Sequence, residues 1–261
     1  MRRHQALTLA LALLLGGCMA ASASAATEKA TLHAGFSPNR LGASTTISFS
    51  FHVETVDGLA PPPMTSLDLR LPAGINYTAT TLGLAICQPQ ALLERGLAGC
   101  SPNSRLGFGS AFVEVPFGVG SGKEIPEVQA LMGPPRNGNI VVLFYANGLS
   151  PVLAQLVFSG EVVPDSAPFG SQLATDVPPV ASVPGGPDVS IVSAQTTIGP
   201  NRLTYYRRRH GRRVPFHPIG VSVPERCPHG GFPFSARFGF QDGSSQNAST
   251  TVPCPPRRRR R

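Results

Sequence analysis

The sequence contains no tryptophan and few charged side chains, which make up 14% of its 261 residues. The absence of tryptophan excludes a sugar-binding platform built on indole rings. After the N-terminal region, no apolar run reaches the roughly 20 residues that a membrane-spanning helix needs. We therefore expect a globular body without a membrane-spanning helix.

Motifs for catalysis are also missing. The sequence has no G-x-S-x-G turn, no S-x-x-K pair and no H-E-x-x-H, and the glycine-rich stretch 118–122 lacks the end of a phosphate-binding loop. We therefore expect no enzymatic activity, no cofactor and no metal. A hydrolase of envelope glycans or esters is the alternative. It would require two carboxylates to face each other across a cleft, such as Glu124 and Glu127, or Asp165 and Asp176.

Residues 1–26 have the pattern of an export signal. A short basic start is followed by an apolar run from Ala6 to Leu15 and by small residues up to Ala26. Two processing sites remain open: Leu15 to Cys18 resembles a lipobox, and Ala23 to Ala25 fits an A-x-A site. We expect an extracellular or cell-surface protein, held by a lipid anchor if Cys18 is processed.

The four cysteines other than Cys18 form an even set, which in an oxidising compartment predicts two disulfides. Three pairings are open, and Cys87–Cys100 with Cys227–Cys254 is favoured because both loops are short. Each bridge would add roughly 3–4 kcal/mol to the free energy of unfolding in the chain-entropy model. Zinc is disfavoured, since there is no C-x-x-C pair.

The formal net charge of +8 comes from two short arginine clusters. The first cluster contains Arg207, Arg208, Arg209, Arg212 and Arg213, and the second contains Arg257, Arg258, Arg259, Arg260 and Arg261. Without them and the two arginines of the signal, 10 of the 22 basic residues remain against 14 acidic ones, a charge of about −4. Local basic patches indicate contact with an anionic cell-wall polymer or membrane surface rather than with nucleic acid. The competing interpretation of the first cluster is a solvated hairpin tip.

Alternating apolar and polar residues predict half-buried antiparallel strands at Thr46 to Val53, Ser66 to Leu71 and Phe232 to Phe240. Pro233 suggests that the last of these lies at a sheet edge or begins just after the proline. Weaker strand patterns cover residues 106–115, 127–132, 139–146, 153–163, 189–197 and 247–252. Asn137-Gly138 and Asn147-Gly148 are hairpin-turn signals, and they predict a meander over residues 127–163.

One short helix is predicted from Pro89 to Leu97, with its leucines packed inward and Gly96 as its stop. The Pro- and Gly-rich stretch 164–187 predicts a linker or a long surface loop. We expect one domain over residues 27–254, with a possible subdivision in that stretch, and a disordered tail over 255–261. The predicted fold is all-β and antiparallel, sandwich-like in the manner of immunoglobulin or jelly-roll folds, with one short helix inside the first disulfide loop.

The segment from Leu71 to Gly109 resembles a group of exported proteins of high-GC actinobacteria. Those proteins carry the pattern "LPxGL", a cysteine, an apolar turn and "CPxxSxxGxG", and end with a "PC" pair similar to Pro253-Cys254. This chain departs from the pattern at Ile75 and at Ser101, which separates Cys100 from Pro102. The resemblance implies an exported β-rich fold and no particular activity.

In this segment we interpret the motif as structural. Pro72 and Gly74 would end a strand, and Gly107 would allow close approach of a neighbouring backbone. The leading hypothesis for the whole chain is an exported, non-catalytic binding or structural protein of the cell envelope or extracellular space. Its basic loop and tail would attach it to an anionic surface. A module that binds another protein, such as an adhesin or an inhibitor, is a second alternative.

Overall fold

A computed structural model describes residues 28–77, 85–117, 120–150, 153–181, 185–200 and 203–256. Within these ranges the chain forms mainly β-strands. The strands are β1 (Glu28–Ser37), β2 (Ser44–Thr55), β3 (Met64–Pro72), β4 (Asn76–Tyr77), β5 (Arg105–Phe117), β6 (Gly120–Glu124), β7 (Glu127–Met132), β8 (Ile140–Gly148), β9 (Ala154–Pro164), β10 (Phe169–Asp176), β11 (Ser190–Ile198), β12 (Tyr205–Arg209), β13 (Arg212–Phe216), β14 (Val221–Ser222), β15 (Phe232–Phe240) and β16 (Ser245–Val252). One α-helix, α1 (Pro89–Arg95), is followed by short 3₁₀ turns at Gly96–Gly99 and Pro102–Ser104.

Fourteen of these strands form one antiparallel sheet. Its order is β16, β15, β3, β10, β9, β8, β7, β5, β11, β2, β14 and β4, with β1 also paired to β2 and β6 paired to β5. Strands β12 and β13 form a separate hairpin. The predicted all-β, antiparallel, sandwich-like fold with one short helix is confirmed.

The sheet folds over so that strands near its two edges face each other. Strand β1 lies against β16, and the ring of Phe36 on β1 is 5.4 Å from that of Phe232 on β15. On the next strand, the ring of Phe51 is 5.0 Å from that of Phe238. These ring contacts join the two layers, and they bury the apolar face that each strand's alternation provides.

The three strands predicted from regular alternation are confirmed, and the predicted apolar face of each strand is the one that faces the interior. In β15 the phenylalanines at alternate positions are buried, and the residues between them are more exposed. The prediction that the strand lies at a sheet edge or begins after Pro233 is wrong. Strand β15 begins before Pro233 and is paired on both sides, with β16 and β3. The proline is tolerated because the ladder to β3 extends only as far as Ser235.

Strand β8 is buried on both faces. Val142, Phe144 and Ala146 face the interior, whereas Val141 and Leu143 belong to a second apolar cluster on the outer side, under α1. The helix ends at Gly96, as predicted, and Gly96 has a φ of 57°. The prediction that its leucines pack inward holds for Leu92, which is fully buried, but not for Leu93, which is 54% exposed.

Two further predictions need correction. Asn137 and Gly138 form the turn between β7 and β8 with positive φ, but Asn147 and Gly148 belong to the end of β8, where they pair with β9. The stretch 164–187 contains strand β10, which lies between β9 and β3 in the sheet. Leu173 on β10 and Val177 just after it are buried, and this tertiary burial outweighs the loop-like composition of the stretch.

Both favoured disulfides are present. The Cα atoms are 5.1 Å apart in Cys87–Cys100 and 5.8 Å apart in Cys227–Cys254. Two disulfides indicate an oxidising, non-cytoplasmic compartment. The predicted signal segment 1–26, Cys18 and the arginines of 257–261 lie outside the described residues. In the described ranges, no helix has the length and apolarity needed to cross a membrane.

The strand directions define two ends of the sandwich. We call the end that carries the connections 56–63, 125–126, 149–153 and 177–189 the mouth end. The opposite end, which carries the connections 38–43, 133–139 and 165–168, we call the base end. Antiparallel pairing sets the direction of each strand, and therefore the end near which each strand begins and stops.

The two neighbouring leucines of α1 provide a matched test of its packing. Replacing the buried Leu92 by Ala should lower the free energy of unfolding by about 2–4 kcal/mol, since it leaves a cavity over β7 and β8. Replacing the exposed Leu93 by Ala should change it by less than about 0.5 kcal/mol. Urea denaturation with the disulfides intact measures both values, and equal losses would contradict this packing.

Candidate functional site

The first arginine cluster forms the exposed hairpin of β12 and β13. His210 and Gly211 make its turn with φ values of 49° and 76°, the backbone conformation of a two-residue hairpin turn. Arg208 pairs with Arg213, and Arg209 with Arg212. The five arginines of the first cluster are all exposed. The hairpin therefore concentrates positive charge at its tip.

Two of the five guanidinium groups lie over aromatic rings of the same hairpin. The Cζ atom of Arg213 is 3.8 Å from the ring centre of Tyr206, and that of Arg207 is 5.3 Å from the ring centre of Phe216. The two rings lie on opposite faces of the hairpin, because their residues are one position out of register. Stacking restricts each guanidinium while its N–H groups stay available at the edge.

The root of the hairpin is fixed to the body by the residues that follow Cys100. The Asn103 side chain accepts a hydrogen bond from the backbone nitrogen of Tyr206 at 2.8 Å and donates one to its carbonyl oxygen at 2.6 Å. Asn103 is itself held in a 3₁₀ turn, where Ser101 Oγ accepts from the backbone nitrogen of Asn103. The hairpin therefore projects from a hydrogen-bonded base.

Tyr205 is the buried anchor of the hairpin. Its side chain is 2% exposed, and its hydroxyl donates a hydrogen bond to the carbonyl oxygen of Arg105 at 2.6 Å. Burial raises the pKa of Tyr205 to about 12, because the phenolate would lose its hydration. The phenol therefore stays protonated when an exposed tyrosine would already have ionised.

None of the hairpin arginines has an acidic partner within 4.0 Å among the described residues. The ion pairs found there are Arg70–Asp165, Arg136–Glu161 and His52–Glu54. In the first pair, the hydrogen bonds from Arg70 hold the pKa of Asp165 below its usual value. The donors of the hairpin, in contrast, remain free for an external anion.

Charge is separated between the two ends of the molecule. Besides the hairpin, the base end carries Arg40, Arg105, Arg136 and Arg226, together with the acidic residues Asp165 and Glu225. Most acidic residues lie at the mouth end, and these are Glu28, Glu54, Asp57, Glu114, Glu124, Glu127, Asp176, Asp188 and Asp242. The resulting charge asymmetry gives the molecule a dipole whose positive end is the base end.

The carboxylate pairs considered for a hydrolase do not converge. Asp165 lies beyond the base end of β10 and Asp176 at its mouth end. Glu124 is buried at the end of β6, whereas Glu127 begins β7 and is exposed. Across the described residues, no group of three or more His, Cys, Asp or Glu side chains is placed to hold a metal ion.

The sequence reasoning missed the residues that support the hairpin. Tyr205 and Tyr206 adjoin the arginines in the sequence, whereas Asn103 lies far from them, three positions after Cys100. Its contact spans 103 positions along the chain, so no local pattern reveals it. The close approach predicted for Gly107 is confirmed, since a side chain there would overlap the carbonyl oxygen of Thr197.

Comparison with known protein families and with curated proteins finds no match for this chain. The functional argument therefore depends on the geometry and charge of the hairpin and of the interior.

Replacing Asn103 by Ala should release the root of the hairpin. The backbone N–H of Tyr206 would lose its acceptor, and its hydrogen exchange should accelerate at least about tenfold, equivalent to about 1.4 kcal/mol. Asn103→Asp keeps an acceptor oxygen for this N–H but loses the donor to the Tyr206 carbonyl oxygen, so it should preserve only part of the protection. Amide exchange measured by NMR distinguishes the two variants. Similar exchange in the unmodified protein and in both variants would contradict the role of Asn103 in holding the hairpin.

Tyr205 should make the protein sensitive to alkali. Between pH 10 and about 12 the unfolded chain loses the phenolic proton while the folded chain retains it, so the free energy of unfolding should fall as pH rises. Tyr205→Phe should show a shallower decrease over the same range. Urea denaturation at a series of pH values gives both slopes, and equal slopes would contradict the assignment.

Proposed function

We propose that this protein is an exported, non-catalytic binding protein that attaches through its arginine hairpin to an anionic polymer of the cell envelope. The observation that carries the proposal is a set of five exposed arginines that have no acidic partner among the described residues, on a hairpin whose root is hydrogen-bonded to the body. Guanidinium groups bind phosphate and carboxylate oxygens through paired N–H donors, which suits a polymer that repeats such groups.

The composition of the hairpin favours a polymer over a membrane. Its outer half, from Arg208 to Arg213, contains arginines, His210 and Gly211, and no apolar side chain that would enter a bilayer. Its aromatic residues Tyr206 and Phe216 lie closer to the root, where they stack under Arg213 and Arg207. We therefore expect attachment by charge and hydrogen bonds alone.

The C-terminal arginines would act at the same end of the molecule. Strand β16 runs from the mouth end to Val252 at the base end, and Cys254 is bonded to Cys227 beside it. The described chain stops at Pro256. Because the five arginines follow Pro256 directly in the sequence, the two arginine clusters would bind one polymer with increased effective concentration.

Substitution of the five hairpin arginines by Gln should weaken binding to immobilised polyphosphate and to isolated cell envelopes by at least tenfold. Substitution by Lys keeps the charge but not the paired donors and should retain only part of the affinity. Binding of the unmodified protein should fall steeply between 0.05 and 0.5 M salt, because exposed charges are screened beyond about 10 Å at 0.1 M.

Two controls define the outcome. A chain that ends at Pro256 separates the contribution of the tail from that of the hairpin. Phosphatidylglycerol vesicles test a membrane in place of the polymer. Envelope binding that is indifferent to salt, or unchanged in the Gln variant, would contradict the proposal. Binding to the vesicles but not to polyphosphate would show that a membrane surface is the partner instead.

A further inference from the structure

The half of the interior next to the mouth end is not filled. It contains a cavity of about 160 Å³, lined by inward-facing residues of β2, β3, β5 to β11 and of the connections at the mouth end. The lining side chains are apolar except for Glu124, Thr175 and Thr196. Toward the base end, the interior is instead closed by phenylalanines such as Phe232 and Phe234, which are at most 1% exposed.

Solvent reaches this cavity. Phe49, Leu67, Phe158 and Ile191 face the interior, yet they remain only half-buried. Each such side chain forgoes part of the roughly 25 cal/mol per Å² that full burial would provide. An apolar surface that stays accessible inside a folded sheet gains this free energy when a second apolar molecule covers it.

The mouth is bordered by exposed apolar side chains. Ile125, Leu149 and Leu153 are 69%, 70% and 77% exposed. Each is the sequence neighbour of a residue that lines the cavity, namely Pro126, Gly148 and Ala154. Exposed apolar side chains grouped at the opening of an apolar cavity mark a binding surface, whereas single ones scattered over a protein need no explanation.

We propose that this cavity is a binding site for the hydrocarbon part of a small ligand, which enters beside Ile125, Leu149 and Leu153. An engineered apolar cavity of about 150 Å³ in another protein stays dry and binds benzene. The present cavity of about 160 Å³ therefore takes one ring or one short alkyl segment. The remainder of the ligand would lie against the apolar side chains of the mouth. The inference does not depend on attachment through the hairpin.

Charge at the mouth selects the head group of the ligand. Glu124 is 7% exposed and lines the cavity, and its Oε1 atom accepts a hydrogen bond from the backbone nitrogen of Ser150 at 3.0 Å. This contact fixes a carboxylate at the entrance, at the end of the molecule where most acidic residues lie. A ligand with a neutral or cationic head group is therefore favoured over one with a carboxylate.

Four small probes test both parts of the proposal: benzene, 1-hexanol, hexylammonium and hexanoate. The methyl signals of Ala146, Leu156 and Ala194, which line the cavity, should shift in ¹H–¹³C NMR spectra on titration with the first three. At pH 7, hexanoate should bind at least tenfold more weakly than 1-hexanol, which has the same chain length. Absence of shifts with benzene and 1-hexanol up to their solubility would overturn the proposal.

Filling the cavity provides matched variants. Ala146→Leu and Ala194→Leu each add bulk inside it, and each should weaken 1-hexanol binding at least tenfold. Ala174→Leu makes the same change on β10 outside the cavity lining and should leave binding unchanged. Because two separate strands carry the filling variants, failure of one to fold leaves the other as a test. Unchanged affinity in a folded filling variant would overturn the assignment.

Vesicles of phosphatidylcholine distinguish a lipid chain from a free ligand as the source of the hydrocarbon. Co-sedimentation that is lost in the triple variant Ile125→Ser, Leu149→Ser, Leu153→Ser, together with shifts of the cavity methyl groups, would identify a lipid chain. Binding of 1-hexanol without co-sedimentation would identify a free ligand. Co-sedimentation without any shift of the cavity methyl groups would overturn the proposal, since the mouth would then act without the cavity.

Discussion

The phenylalanines of β15 hold the two layers of the sandwich together, and the rest of the structure depends on this contact. They meet Phe36 of β1 and Phe51 of β2 across the interior. A sheet of this length exposes an apolar face on every strand unless it folds over, so burial of that face determines the architecture. Strand β3 belongs to the same apolar core through Leu69 and Leu71.

The two disulfides close loops that carry the outer helix and one edge of the sheet. Cys87–Cys100 closes a loop that holds α1, which packs on the outer side of β7 and β8. Cys227–Cys254 closes the loop that holds the hairpin of β15 and β16. Both bridges constrain segments with little regular structure at their ends, where chain entropy is greatest and a cross-link contributes about 3–4 kcal/mol.

The two proposed binding activities follow from the difference between the two ends. The base end is positively charged, tightly packed inside and tied to the arginine hairpin by Asn103 and Tyr205. The mouth end is acidic and opens into an apolar cavity. In the proposed arrangement, attachment of the base end to an anionic polymer points the mouth toward solvent, so a ligand reaches the cavity without crossing the polymer. Each end therefore carries one of the two proposed binding activities.

The sequence by itself determined the strands with regular alternation, the helix with its stop at Gly96 and the exposure of the arginine cluster, and it favoured the disulfide pairing that the structure shows. These are local properties, set by periodicity, turn residues and short cysteine spacing. Only the tertiary structure decided the place of β10 between β9 and β3, because its burial comes from strands distant in the chain. It also decided the clamp of Asn103 on Tyr206 and the cavity at the mouth end. A hydrogen bond across 103 positions and an unfilled space have no sequence pattern, since each arises only when distant side chains meet or fail to meet.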